Sequence, residues 1–173
     1  MLAMLEMSGQ YEEWLAAYRR FEPNQPIDPL YFLATDRLDE AERAIEAAAA
    51  RDRFGQFQLL PHKATLAALR GDFRSAEAAI PAMLNRHPVK DPFYHHVAYV
   101  VASIYALEGK SVEAVKWLRE AVASGFSVYA LFERDAHLNR VRQAPEFIQF
   151  MSEMKATTDG YRREFGAAAP TSP

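Results

Sequence analysis

Histidine is the residue type in this chain that is best suited to proton transfer or metal binding near neutral pH. The chain contains five, which are His62, His87, His95, His96 and His137. On a helix the adjacent rings of His95 and His96 project roughly 100° apart, so they do not share one metal ion. A site formed by His62, His96 and a carboxylate is conceivable, but a metal site needs three or four ligands in fixed geometry. We therefore favour polar surface residues over ligands, and we expect no metal and no cofactor.

The sequence lacks the short motifs that usually build catalytic sites. Its seven glycines form neither GxGxxG nor GxxxxGK[ST], the two loops that cradle phosphates, and both GxSxG and HExxH are absent. The absence of cysteine excludes disulfide scaffolds, thiolate zinc sites, cysteine nucleophiles and iron–sulfur clusters. The densest basic cluster, Arg134 with Arg140 and Arg142, is expected to pair with neighbouring helices. We therefore predict that the protein is not an enzyme.

The composition predicts a single helical domain. A chain of 173 residues corresponds to one domain, or at most two small ones. It has 30 alanines but only 19 valines, isoleucines and threonines, which favours helices over a β-sandwich or barrel. The net charge of −3 argues against bulk attraction to nucleic acid or anionic lipid. The longest apolar stretch, Val97 to Leu107, is far shorter than the roughly 20 residues of a membrane span. We expect a cytoplasmic protein.

Two helices joined by a glycine turn form the clearest repeated unit of the chain. Before the turn at Gly109, apolar residues recur at spacings of three and four, which marks one face of a helix. These residues are Ala98, Val101, Ala102 and Tyr105. After the turn, the face of a second helix is marked by Ala114, Leu118 and Ala121. Gly109 is expected to supply the left-handed cap that ends the first helix.

The same frame fits three further places. It turns at Gly71, at Asp36, where aspartate replaces glycine, and at Gly9. The turns at 36, 71 and 109 are spaced close to the 34-residue period of a helical-pair repeat. Pro81 is expected to kink or shorten the second helix of its unit. The first helix of the unit at Asp36 is expected to be short, from about residue 29 to 35.

The segment from about residue 94 to 126 resembles a tetratricopeptide repeat. In the spacing of that family it has small Ala102, aromatic Tyr105, turn Gly109, small Ala114, large Leu118 and small Ala121. It departs from the family at Ala98, where the family has tryptophan, and at Phe126, where the family has proline. The segment from about 57 to 88 matches less fully but ends in Pro88. The resemblance implies an all-α fold of α-α helical hairpins that stack into a right-handed superhelical solenoid.

The part of the chain from about residue 125 resembles the segment that closes the repeat arrays of many bacterial regulatory proteins. The resemblance rests on Gly125-Phe126, on LFERDAHL at 131–138, on Val141-Arg142 and on Pro145-Glu146-Phe147. Pro145 is well placed as the first residue of a capping helix, which is expected to run to about Arg163. The apolar face of that helix is predicted to contain Phe147, Ile148, Met151 and Met154.

These units predict one domain over residues 1–165. It comprises a partial repeat at about 1–22, a degenerate repeat at about 29–53, repeats at about 57–88 and 94–126, and a closing segment with its capping helix at 127–165. Residues 166–173 are small residues and prolines, and they are expected to be disordered. Because Met1 falls inside the first predicted helix, we expect the chain to be an excised or shortened end of a longer array.

The resemblance to this family implies a function in binding other proteins. The resemblance places partner contacts on the first helix of each repeat, in the concave groove. The partner-binding candidates are Gln58, His62, Thr65, Leu69, His96, Tyr99, Ser103 and Leu107. We predict that this groove binds a protein or peptide segment with apolar anchors, as a scaffolding or regulatory part of a larger bacterial protein. Two alternatives stay open, namely homo-oligomerisation through the end at Met1 and a small-ligand or metal sensor that uses His62 and His96.

Overall fold

The computed structural model describes residues 10–51 and 59–165, and within these two ranges the chain is all-helical, without a strand. The α-helices of the described residues are α1 (Tyr11–Phe21), α2 (Pro29–Ala34), α3 (Leu38–Arg51), α4 (Leu60–Leu69), α5 (Phe73–Arg86), α6 (Tyr94–Glu108), α7 (Ser111–Ala123), α8 (Tyr129–Arg134) and α9 (Pro145–Phe165). A 3₁₀-helix at Ala136–Val141 lies between α8 and α9. The predicted all-α class is confirmed for this part of the chain.

The turns inside three consecutive helix pairs share one backbone geometry. Asp36, Gly71 and Gly109 follow α2, α4 and α6, and their φ angles are 57°, 82° and 89°. After each of them, the next backbone N–H donates to a carbonyl five residues earlier, at N···O distances of 2.8 to 2.9 Å. This is the left-handed helix cap that glycine favours, and aspartate tolerates it better than most residues do. The predicted turns at these three positions are confirmed, whereas the one at Gly9 lies outside the described residues.

Proline sets the beginning of some helices without ending others. Asp28 caps α2 by accepting the N–H of Leu30 at 2.8 Å, and Pro29 follows as the first helical residue. The expected short helix after the prolines is therefore confirmed. Pro81 lies inside α5 on an exposed face, and α5 continues past it to Arg86. Pro81 therefore does not shorten the helix, because water can solvate the carbonyl group that the proline leaves without a donor, and the alternative of a kink stays a prediction.

Small residues lie where the helices of the third pair cross. Ala98, Ala102, Ala114 and Ala121 of α6 and α7 are completely inaccessible to solvent, and so is Leu118 between them. They belong to a large apolar cluster that continues into the C-terminal elements. The first helices α2, α4 and α6 also contact one another in sequence, so the pairs stack side by side.

The C-terminal elements cover one end of this stack. The 3₁₀-helix packs on α6, and α9 packs on α7 and α8. Arg142 donates to the carbonyl oxygens of Phe132 at 3.2 Å and Asp135 at 2.7 Å, as expected for the basic cluster around it. None of the described helices is long and apolar enough to span a membrane.

The predicted last helix begins at Pro145 as expected and ends at Phe165, two residues later than expected. Phe147 and Met154 are buried as expected, but Ile148 is 53% exposed and does not belong to the apolar face. Phe150, which the sequence pattern did not include, is 2% exposed. The spacing of Phe147, Phe150 and Met154 follows the helical period, whereas Ile148 points about 100° away from Phe147. The predictions for residues 1–9 and 166–173, including the self-associating end at Met1, concern residues outside the described ranges.

Candidate functional site

A cavity of about 440 Å³ lies against the first helices of the pairs, and we call it the groove. Its described lining residues are Tyr11, Leu30, Leu33, Pro61, His62, Thr65, His87, Phe93, His96, Val97, Tyr99, Val100, Phe126 and Leu131. They come from α2, α4, α6 and α8, from the start of α1, from the segment between α5 and α6 and from the segment between α7 and α8. None of these described residues belongs to α3, α5 or α7, so the second helices of the pairs lie away from the groove.

Four of the predicted partner-binding residues line the groove, namely His62, Thr65, His96 and Tyr99. All four lie within the first six residues of α4 and α6. The predicted residues further along these helices lie elsewhere, because the groove does not follow either helix to its end. Leu69 packs on the cluster of α2 and α3, Leu107 packs on the cluster of α4 to α6, and buried Ser103 donates to the carbonyl of Tyr99 at 3.0 Å. Gln58 lies outside the described residues.

Sequence reasoning missed the two ends of the groove. Leu30 and Leu33 come from the short helix α2, and Leu131 comes from the C-terminal helix α8. The centroid of the Phe126 ring lies 4.9 Å from that of the Tyr99 ring and 5.2 Å from that of the His96 ring. The only signal for Phe126 was its place at the position where the family has proline. The other missed residues depend on how far the stack curves, which a repeat pattern does not specify.

A buried tyrosine–aspartate pair forms part of the wall. Tyr99 donates its hydroxyl hydrogen to the carboxylate of Asp135, which is only 6% exposed and also accepts the backbone N–H of His137 at 2.9 Å. Burial raises the pKa of Tyr99 well above its usual value, and the charge of Asp135 raises it further. Tyr99 therefore stays protonated, and its hydroxyl hydrogen is already used within the protein.

The first pair and the C-terminal elements meet beside the groove. His137 of the 3₁₀-helix places Nε2 at 3.3 Å from the carbonyl oxygen of Leu33, the last buried residue of α2. This contact joins residues that are 104 positions apart in the sequence. The Nδ1 of His137 lies 3.7 Å from the carboxylate of Asp135. Leu33 on one side and Leu131 on the other both line the groove, so the stack curves far enough to bring its two ends together there.

Two of the groove histidines, His62 and His96, have a lowered pKa in the folded protein. Burial lowers the pKa of His62, although the carboxylate of Asp28 at 3.6 Å from its Nε2 acts in the opposite direction. Partial burial lowers the pKa of His96, and neighbouring His95 lowers it further. His87 places its Nδ1 at 3.2 Å from Asp91. At neutral pH, His62 and His96 are therefore hydrogen-bonding groups without charge.

The described groove lining contains no lysine, arginine, aspartate or glutamate. Across residues 10–51 and 59–165, no three histidine, aspartate or glutamate side chains come together as a metal site. Among the described lining residues, the one hydroxyl outside tyrosine belongs to Thr65, which donates to the carbonyl of Pro61 at 3.0 Å. The arrangement is thus suited to non-covalent binding of apolar groups, with aromatic rings and neutral imidazoles as the contacts.

Comparison of the chain with protein-family profiles, with curated proteins and with solved structures found no match in any of the three. The groove is therefore the feature from which function has to be argued. Its chemistry is defined by its apolar walls, by the absence of charged side chains among its described residues and by the two buried ends of the stack that meet beside it.

Proposed function

We propose that the protein is a non-catalytic interaction module of the tetratricopeptide type, which binds a protein or peptide segment in the groove. The observation that carries this proposal is the origin of the groove lining. Most of its described residues come from the first helices α2, α4 and α6, and none comes from α3, α5 or α7, the second helices of the same three pairs. Helical-repeat proteins use the surface formed by stacked first helices to bind extended or helical segments.

The proposal includes the architecture and the setting. A right-handed solenoid of α-α hairpins is supported by the three stacked pairs and by their shared left-handed turns at Asp36, Gly71 and Gly109. A place as a scaffolding or regulatory part of a larger bacterial protein in the cytoplasm is supported by the resemblance of the C-terminal segment. The proposed binding mode is the insertion of apolar side chains of the partner between the aromatic walls of the groove.

The non-catalytic part of the proposal is supported by the way the polar groups are used. The Tyr99 hydroxyl donates to Asp135, and the Thr65 hydroxyl donates to Pro61. Nucleophilic catalysis needs a nucleophile within hydrogen-bond reach of a base that activates it. The hydroxyls of Tyr99 and Thr65 instead donate to acceptors that belong to the fold itself.

The proposal is tested by selecting binders from a random peptide library displayed on phage, with the full chain as the immobilised target. We expect enriched peptides with aromatic or branched apolar residues, and titration calorimetry should give a 1:1 complex. Phe93 lines the groove and is 62% exposed, so Phe93→Ala removes a contact without opening the core. It should weaken peptide binding by about fivefold or more, since exposed aromatic anchors dominate such interfaces.

Phe21→Ala is the matched control. Phe21 has a similar exposure of 57% and does not line the groove. We expect this variant to bind the selected peptides as the wild type does. Failure to enrich any peptide, or equal affinities for wild type and Phe93→Ala, would contradict the proposed function.

A further inference from the structure

The groove is closed on one side, which limits the shape of what can bind there. The contact between His137 and the carbonyl of Leu33 joins the C-terminal elements to α2 directly beside it. Leu131 and Leu33 approach from these two elements and line the same space. An extended chain that follows the whole stack would have to pass this contact. A compact molecule does not, and a volume of about 440 Å³ lies within the usual range of roughly 300 to 1,000 Å³ for small-molecule sites.

The charge of the groove limits the chemistry of the ligand. Its described lining has no charged side chain, and His62 and His96 are predominantly neutral at neutral pH. A charged group that entered would lose hydration and find no opposite charge on these walls, which is costly. The carboxylates nearest to the histidines, Asp28 and Asp91, already lie 3.6 and 3.2 Å from His62 and His87.

Two buried imidazole nitrogens of the wall have no hydrogen-bond partner among the described residues, namely Nδ1 of His62 and Nδ1 of His87. Nδ1 of His87 lies 3.2 Å from a carboxylate oxygen of Asp91, and the other nitrogen of the His62 ring faces Asp28. Since Tyr99 and Thr65 use their hydroxyl hydrogens within the protein, the His62 imidazole is a groove group that can still exchange a hydrogen bond with a ligand. The walls around these imidazoles are aromatic or aliphatic, namely Phe93, Phe126 and the leucines.

We propose that the groove is a binding site for a small, uncharged, mainly aromatic molecule that carries at most one or two neutral hydrogen-bonding groups. The aromatic body packs between Phe93 and Phe126, and a hydroxyl or amide group of the molecule bonds to an imidazole. Such a ligand contacts residues from both ends of the stack, so its binding strengthens the closure at Leu33 and His137. This inference concerns the same groove as the proposed function, but it does not require a protein partner.

The test uses three naphthalene compounds that share one ring system and differ in charge. They are naphthylmethanol, naphthoate and naphthylmethylammonium, and each displaces an uncharged phenylnaphthylamine dye whose fluorescence rises in apolar sites. With the full chain at about pH 7.5, we expect the dye to bind saturably at one site. The neutral alcohol should compete at least about tenfold better than either charged compound, since only the charged groups lose hydration without compensation. No saturable dye binding, or equal competition by the three compounds, would overturn the inference.

Variants locate the site within the molecule. Phe93→Ala should weaken dye binding by about threefold to tenfold, whereas Phe21→Ala, with a similar exposure outside the groove, should leave it unchanged. Equal effects of the two variants would overturn the inference, because the dye would then bind elsewhere. Far-ultraviolet circular dichroism of each variant confirms that the fold is retained.

The two proposals for the groove fail independently. Saturable, charge-selective dye binding without any enriched peptide supports the small-molecule site and contradicts the peptide-binding function. Enriched peptides that require Phe93, together with no dye binding, support the peptide-binding function and overturn the small-molecule site. If dye and peptide both bind and displace each other, the molecule and the partner's anchor use the same pocket, and both proposals stand.

Discussion

The pair α2–α3 and the pair α6–α7 are built on the same turn but differ greatly in their cores. Both turns have a left-handed residue, Asp36 or Gly109, and the same backbone hydrogen bond after it. However, α2 has 6 residues and α6 has 15. A first helix that is less than half as long presents fewer side chains to its partner and to the next pair.

The buried clusters of the two pairs reflect this difference. The cluster of the first pair contains Leu33, Ala41, Ile45 and Leu66 as its buried members. The cluster around α6 and α7 extends to Phe126, Phe132 and Phe150 in the C-terminal part, so α7 is covered on one side by α6 and on another by α9. The turn motif is therefore a local property, whereas the depth of the core depends on the length of the first helix and on what covers the pair.

The largest loss of stability is expected from truncating a core residue that occupies the same position, relative to the turn, in α3 and in α7. Ile45 and Leu118 both lie nine residues after their turns, at 36 and 109, and are 3% and 0% exposed. Leu118→Ala should lower the free energy of unfolding by about 3 to 5 kcal/mol, because its large cluster cannot collapse around the cavity. Ile45→Ala should cost only about 2 to 3 kcal/mol, since the smaller cluster can relax. Urea denaturation monitored by circular dichroism measures both values.

The slope of the denaturation curve is the control for this comparison. An unchanged slope for both variants means that the same surface is exposed on unfolding and that the two free energies can be compared. If Ile45→Ala costs as much as Leu118→Ala, the difference in core depth between the two pairs does not translate into stability. The comparison would then have to be abandoned.

Substitutions at the two turns are expected to change the free energy of unfolding by less, and the two changes should have opposite signs. Gly109→Ala should destabilise the protein by about 1 to 2 kcal/mol, because its φ of 89° is unfavourable for a residue with a Cβ atom. A Cβ there meets no atom within 4 Å, so the cost is confined to the backbone. Asp36→Gly should stabilise by a few tenths of a kcal/mol up to about 1, since it removes strain but adds freedom to the unfolded chain. Thermal unfolding measures both variants.

Gly160→Ala provides the matched control for the turn variants. Gly160 lies in the helix α9, and an added Cβ there also meets no atom within 4 Å. Alanine should stabilise this helix by about 0.5 to 1 kcal/mol, which is the normal preference inside a helix. If Gly109→Ala were also stabilising, the left-handed cap at that turn would be disproved.

The repeat frame and its turns could be predicted from the sequence because they depend on neighbouring residues. The small residues at Ala102 and Ala114, the caps at Gly71 and Gly109 and the short helix after Pro29 are all local patterns, and all are present. Ile148 was assigned to the wrong face because an apolar residue next to a helical stripe looks like part of it. Its 53% exposure is decided by where α9 meets α7 and α8.

The groove could be predicted only in part, for a related physical reason. The sequence predicts contacts as far as Leu69 and Leu107 near the ends of the first helices, but the groove follows only the first six or seven residues of α4 and α6. The contributions of Leu33, Phe126 and Leu131 arise because the two ends of the stack meet at His137. That meeting depends on the small rotation between successive pairs, which accumulates along the stack and leaves no pattern in the sequence.

The smallest effect is expected from acid, which should weaken the attachment of the first pair before it affects α6 and α7. Burial holds the pKa of His62 below its usual value of 6.5 in the folded protein, and Asp28 at the start of α2 only partly opposes this. The unfolded chain therefore binds a proton at His62 more readily than the folded chain does. By linkage, stability falls as the pH drops through about 6.5 and below. Partial burial also lowers the pKa of His96 on α6, but its side chain is more exposed than that of His62, so we expect a smaller contribution from it.

Hydrogen exchange of the backbone amides at about pH 7.5 and pH 5.5 separates the two regions, once each rate is corrected for the intrinsic effect of pH. Protection should fall more in α2 and α3 than in α6 and α7, because His62 joins α4 to the start of α2 and the deeper core has no such titrating contact at its centre. His62→Gln keeps a polar side chain but does not titrate, so it should reduce the loss in α2 and α3. Asp28→Asn removes the one opposing charge and should increase that loss. An equal loss of protection in both pairs would show that acid acts on the whole molecule, and the first pair would no longer stand out as the weaker one.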